Sequence, residues 1–209
     1  MSIYLARNGK MLTRLNGTRY FGDTVSPVPP TPPGPTPTPT EVTIGDQTWM
    51  TKNLAIDDGL GGIYTETVNY GYGYITEYYY TQEAAVRLAN SIDGWHLPSK
   101  SEFETLGSYV GGTSIAGTKL KSTYGWEDKP GDDEFGFTAL PAGQWDSWGT
   151  SDPTQGSVNF IGENAVFWTS TTGQSNNAYY TTFTYRSDGM LFATHYVNQR
   201  GYSVRLIKD

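Results

Sequence analysis

The chain has 209 residues, a net charge of −7 and no cysteine. Without cysteine, disulfide frameworks, thiolate metal centres, iron–sulfur clusters and thiol nucleophiles are excluded. The acidic balance sets the bulk of the protein against nucleic acid, because phosphate contacts need clustered Lys and Arg to release counterions.

The charge is unevenly divided. Residues 1–22 hold Arg7, Lys10, Arg14 and Arg19 and no acid, whereas the rest carries all 21 Asp and Glu against the other 10 basic residues. Asn8-Gly9, between the alternating runs Ile3 to Arg7 and Lys10 to Arg14, predicts a hairpin. A lone hairpin is marginal in water, so residues 1–24 are expected to order on the globular domain, on copies of themselves or on a larger assembly. Tyr4, Arg7, Arg14, Arg19 and Tyr20 are the candidate anchoring residues, and the apolar Ile3, Leu5, Met11, Leu12 and Leu15 favour an acidic protein surface over phosphate. The segment lacks the apolar centre of a secretory signal. No stretch approaches the roughly 20 apolar residues of a membrane-spanning helix, so no membrane partner is expected and assembly is expected in the cytoplasm of the producing cell.

Residues 25–40 form a linker, and the run from Pro27 to Pro39 holds eight of the twelve prolines and no charge. Proline favours the polyproline II conformation, which at about 3.1 Å per residue makes these thirteen residues a semi-rigid spacer of roughly 40 Å. A disordered chain there would still be a linker.

Residues 41–209 suffice for one domain. Val42 and Ile44 alternate with polar residues and Gly45-Asp46 turns the chain into Gln47 to Leu54, predicting an opening hairpin. A tyrosine-rich, glycine-spaced stretch follows from Tyr64 to Tyr80. Thr81 is placed to cap a helix over Gln82 to Ile92, with Ala85, Leu88, Ala89 and Ile92 on one face. Ser99 and Glu102 have capping-box spacing, and Phe103, Leu106 and Val110 recur at helical intervals up to Gly111-Gly112. A short helical turn is expected around Ile115 to Lys121, then long irregular loops between residues 123 and 165. Ala178 to Tyr185 and Met190 to Val197 flank a turn at Arg186 to Gly189, and Gly201 to Ile207 reads as one more alternating strand. Two helices with several antiparallel strands give an α+β class.

Eight ordered strings carry a resemblance: GDQTWMTKNL from Gly45, YYTQEAA from Tyr79, GWHLPSKSEFETL from Gly94, AGTKLKSTYGW from Ala116, DEFGFTALPAG from Asp133, FWTSTT from Phe167, NAYYTTF from Asn177 and GYSVRLIKD from Gly201. Over residues 41–209 the chain resembles the Fibrobacter succinogenes major paralogous domain, a C-type-lectin-like family abundant in gut Bacteroidetes and their phages. The resemblance implies two helices flanking a small twisted sheet, with long loops presenting a ligand surface. More distantly, Leu97-Pro98-Ser99 and Glu102 are similar to a helix entry of the formylglycine-generating fold, whose chemistry needs cysteines absent here. Where family members carry a pair of cysteines, this chain has Ser91 and Leu206, as expected of a domain matured in a reducing compartment.

Several residues invite chemistry. His96, with Glu102 and Glu104 nearby, has the types of a base or metal ligand, but it lies within the string that fixes a helix entry, and a structural role is the stronger reading. His195 sits in a strand and reads as structural. Asp128, Asp132, Asp133 and Glu134 are oxygen donors of the kind Ca²⁺ takes, without EF-hand spacing or the EPN, QPD and WND signatures of calcium-dependent lectins. HExxH, the phosphate-binding loop and the nucleophile elbow are absent, so no catalytic residue, metal or cofactor is expected. An enzyme would instead show a strongly perturbed ionisable pair within a cleft.

The better lead is aromatic. Trp145, Trp148, Trp168, Tyr179, Tyr180, Tyr185 and Tyr196 are interleaved with amides and hydroxyls, a composition suited to carbohydrate or protein contacts. Trp168 and alternate tyrosines also suit a core. Trp145 and Trp148, in a Gly/Ser/Asp-rich loop, are expected to be exposed, and Trp145, Trp148, Asn176, Asn177, Tyr180 and Tyr196 are the candidate ligand-binding residues. The expected function is a non-enzymatic phage virion surface protein, a head or tail fibre or decoration. Its N-terminal segment would dock on a capsid or tail protein and its C-terminal domain would meet a host glycan or surface protein, in a homo-oligomer such as a trimer. A bacterial cell-surface adhesin or wall-associated protein is the alternative.

Overall fold

The computed structural model describes residues 4–5, 11–15, 18–21, 40–147, 155–197 and 200–209. Backbone contacts divide the chain into two units, Met1–Pro37 and Thr38–Asp209. The proline-rich segment before Thr40, with Arg7 and Asn8-Gly9, lies outside the described residues.

In the first unit, β1 (Tyr4–Leu5), β2 (Met11–Leu15) and β3 (Thr18–Phe21) form an antiparallel sheet in that order. Leu5 pairs with Met11, so five residues separate β1 from β2, and the two-residue connection lies instead between Leu15 and Thr18. The dipeptide that the sequence analysis read at 8–9 recurs there as Asn16-Gly17, and two residues is the spacing that Asn-Gly favours. Arg14 is paired directly with Arg19.

The second unit is mixed, with mostly antiparallel strands. β4 (Glu41–Ile44) and β5 (Gln47–Met50) pair in register across Gly45-Asp46, where Gly45 has φ +64°. β6 (Ile63–Asn69) and β7 (Tyr74–Tyr80) make a hairpin of seven-residue strands, paired from Ile63 with Tyr80 to Asn69 with Tyr74. Helix α1 (Gln82–Ala89) starts where the Thr81 hydroxyl accepts from the Ala84 amide at 3.3 Å. It ends before the expected Ile92 because the Ser91 amide and hydroxyl both turn back to the Leu88 carbonyl, tightening the last turn.

After β8 (Trp95–His96), helix α2 (Lys100–Tyr109) carries the full capping box: the Glu102 amide donates to Ser99 Oγ at 3.2 Å and the Ser99 amide to Glu102 Oε2 at 2.6 Å. Gly111 and Gly112, both at φ +110°, stop it. Helix α3 (Ala116–Leu120) is followed by an irregular stretch to β9 (Gln144–Asp146), then β10 (Ser157–Asn159). β11 (Asn164–Thr172), β12 (Asn177–Thr184) and β13 (Met190–Tyr196) form the central sheet.

That sheet explains the run Ala165-Val166-Phe167-Trp168, which is buried without alternation because both faces are covered. Val166, Trp168 and Ala178 pack with Ala84, Ala85 and Leu88 of α1. Ala165, Phe167 and Phe183 pack with Phe103 and Leu106 of α2.

The C-terminal stretch departs from the expected single strand. Only β14 (Arg200–Gly201) and β15 (Ile207–Lys208) are strands, and Tyr202 to Leu206 between them are all buried. The segment changes partner almost residue by residue: Tyr202 exchanges bonds with Tyr80, Ser203 lies against β11, and the carbonyls of Val204 and Leu206 accept from Leu54 and Met50. It is threaded between the two cores, so alternation has no solvent face to report.

Candidate functional site

The hairpin of β6 and β7 places tyrosines on one surface of the second unit. At its tip, Asn69 Oδ1 accepts from the Gly71 amide at 2.9 Å and Gly73 O from the Tyr70 amide at 3.2 Å. Gly71 and Gly73 take φ of +87° and +140°, which only glycine adopts freely. Tyr72 and Tyr74 project from this turn 86% and 74% exposed. With Tyr124, whose ring meets Tyr72 edge-on at 5.5 Å, they line a cleft of about 490 Å³.

A second cavity of about 400 Å³ shares Ile75 and Tyr124 with that cleft and reaches Lys52, Asn53, Glu77 and Arg205. Beneath it is a buried polar chain. The Tyr70 hydroxyl donates to Glu77 Oε1 at 3.0 Å, Asn53 Nδ2 to Glu77 Oε2 at 3.0 Å, and the Arg205 guanidinium to Asn53 Oδ1 at 2.8 Å. Arg205 is fully buried, donates also to the Met50, Phe137 and Thr138 carbonyls, and lies 4.6 Å from the Phe137 ring centre. Its Nε is buried without a protein acceptor.

Burial pushes Glu77 above the usual carboxylate range, with the bonds from Asn53 and Tyr70 and the charge of Arg205 opposing it. Burial, then the charge of Glu77, pushes the Tyr70 phenol up. Burial pulls Arg205 down to about 9. A perturbed group beneath a cleft is the mark set for an enzyme, yet Glu77 is 3% exposed and both its oxygens already accept a hydrogen bond.

The residues picked from sequence lie elsewhere. Asn176, exposed at φ +60° in the turn before β12, Asn177 at the start of that strand and Tyr196 opposite it come together at one end of the central sheet. Tyr196 is 48% exposed. Trp145 lies on β9, half-buried rather than in an open loop, with its ring stacked on Tyr64 at 4.5 Å and 6°. Tyr64 and Val197 line one hollow of about 290 Å³. Tyr180 is half-buried with its ring on Tyr202 at 4.9 Å and Trp168 at 6.4 Å. Trp148 lies outside the described residues, and of Tyr4, Arg14, Arg19 and Tyr20 only the strand positions are described.

The two histidines are tied into the framework. His96 Nε2 is 2.8 Å from Glu102 Oε1 and Nδ1 is 2.7 Å from Asp209 Oδ1. Partial burial lowers the imidazole pKa, but these two carboxylates outweigh it and the net shift is upward. His195 accepts from Arg200 Nε at 3.3 Å, and Arg200 pairs with Asp146.

In the acidic loop, Asp133 caps Thr138 through its amide and hydroxyl, and Glu134 pairs with Lys119. The nearby cation is the buried Lys121 ammonium, bonded to the carbonyls of Lys129, Thr184 and Ser187 and depressed in pKa by burial. Among the described residues no group of three or more His, Asp or Glu is arranged to hold a metal ion.

Sequence reasoning missed the tyrosine cleft. Its signal was present in Tyr70-Gly71-Tyr72-Gly73-Tyr74, where alternating glycines mark a tip and leave the rings between them without strand neighbours. A family model, the Fibrobacter succinogenes major domain, matches residues 42–208. No curated protein and no solved structure matches the chain.

Proposed function

The chain belongs to the Fibrobacter succinogenes major domain family, and from that premise we propose that it is a non-enzymatic display protein of a phage particle. Residues 1–24 dock on a capsid or tail protein, residues 25–40 project, and residues 41–209, a C-type-lectin-like variant of the α+β class, hold a glycan or protein of the host surface. Each copy binds weakly, and copies linked on one particle, as trimers or larger sets, multiply the apparent affinity without new contacts.

The observation that carries this reading is the division of the chain. Along the sequence a basic strand-forming stretch is followed by an uncharged proline-rich run and then by an acidic domain. The acidic unit in turn shows solvent bare tyrosines, Tyr72 and Tyr74, on a glycine-pinned turn. Exposed aromatic rings beside hydroxyls and amides favour binding without chemistry.

Deleting residues 1–24 tests it. The truncated chain is expected to fold and to bind host cells but to vanish from purified particles. Retention on particles, or export of the full chain from uninfected cells with none on particles, overturns the reading and favours a bacterial adhesin.

A further inference from the structure

We infer that the cleft at the tip of β6–β7 binds a carboxylate-bearing sugar residue of an acidic glycan. This rests on the display reading above and adds to it a position and a ligand class. Three separate observations converge on it.

Tyr72 and Tyr74 are large rings left 86% and 74% exposed. Their turn is fixed by the bonds from Gly71 to Asn69 and from Tyr70 to Gly73. Rings held this way present a stacking face at low entropic cost, and the C–H face of a pyranose is a partner of matching size.

The cavity of about 400 Å³ adjoins the cleft, the two having Ile75 and Tyr124 in their walls. That volume lies in the range of small-ligand sites. The exposed Thr76 lines it and supplies a hydroxyl to neighbouring sugar hydroxyls.

The charge then selects among sugars. Lys52 is exposed on the cavity wall, and no carboxylate among the described residues pairs with it. By contrast Arg87, Lys100, Lys119, Lys129, Arg200 and Lys208 each pair with an acid, and the exposed Arg186 lies over the Tyr185 ring. In a chain of net charge −7 an uncommitted ammonium in the cavity adjoining the rings reads one anion. A single cation suits one carboxylate, whereas a polyphosphate needs several. Glu77, the acid of that wall, keeps both oxygens on Tyr70 and Asn53, and the Arg205 guanidinium bonded to Asn53 in the same wall offsets its charge.

The test uses the full chain in titration calorimetry with tetragalacturonate, sialyllactose and a neutral cello-oligosaccharide. Expected is binding of an acidic probe, with the two acids separating a uronate chain from a terminal sialic acid. Tyr72→Ala should weaken every saccharide bound by about tenfold. Lys52→Gln should cost the acidic probe about tenfold and leave neutral binding unchanged. Both side chains are exposed, so the variants fold. Equal binding of neutral and acidic probes, or binding untouched by both substitutions, overturns the inference. So does binding of no saccharide by a chain that still adheres to host cells, and in each of these cases the display reading stands. A full chain that fails to adhere to host cells overturns the display reading itself.

Discussion

The base and the tip of the β6–β7 hairpin use the same side chain in opposite ways. At the base Tyr79 and Tyr80 are fully buried, and each hydroxyl is spent: Tyr79 donates to Ala142 O at 2.6 Å, while Tyr80 lies 3.0 Å from both Leu54 O and the Ile56 amide. At the tip Tyr72 and Tyr74 stand in water. A buried phenol needs partners at both its ring and its hydroxyl, and the fold supplies them to Tyr79 from the loop at 142, to Tyr80 from Leu54 and Ile56 and to Tyr70 from Glu77, but not to Tyr72 and Tyr74. Tyrosine content alone therefore says little, and position along the hairpin decides between support and display.

The largest way to break this contrast is Tyr80→Ala, which empties a site in the α1-side core and should cost about 3–5 kcal/mol. Tyr80→Phe keeps the ring but strands the Leu54 and Ile56 groups, for about 1–3 kcal/mol. Chemical denaturation of the full chain reads both, and a loss near zero for Tyr80→Ala would erase the distinction.

Glu77, midway along β7, sharpens it through pH. Its folded pKa is raised, so the native state holds the proton more tightly than the unfolded chain. Its contribution is complete below the ordinary glutamate value of 4.5 and is lost as pH rises through the raised folded value. Melting temperatures between roughly pH 4 and pH 8 should fall less steeply in Glu77→Gln than in the parent chain. An unchanged slope would show that Glu77 is not the titrating group. The smallest effect belongs to the tip, where Tyr72→Ala and Tyr74→Ala should each change stability by no more than about 0.5 kcal/mol. A loss comparable to that of Tyr80→Ala would mean that the exposed rings hold the fold together.

What was legible in the sequence was local. Thr81, the Ser99–Glu102 capping box, the Gly45-Asp46 turn and the β12–β13 pair follow from chemistry within a few residues, and each stands close to where the pattern put it. What depends on distant chain was not. Residues 202–206 read as an alternating strand because nothing in them reveals two cores closing from either side. Trp145 was expected in the open because its stacking partner Tyr64 is far away in sequence. The cleft and the cavity adjoining it needed Tyr124 and Lys52 to arrive from separate loops, and Arg205, in the buried wall of that cavity, was only part of a recognisable string until the Asn53 contact gave it a purpose.

The threading of Tyr202 to Leu206 between Tyr80, Leu54, Met50 and Phe167 also has a consequence during synthesis. Contacts spanning more than a hundred residues close slowly, and here the keystone leaves the ribosome after every piece it joins. A chain ending before residue 202 lacks all of these contacts and is expected to be open and protease-sensitive in limited proteolysis. Chains that lack this stretch are the ones left open to proteolysis, a quality check written into chain order.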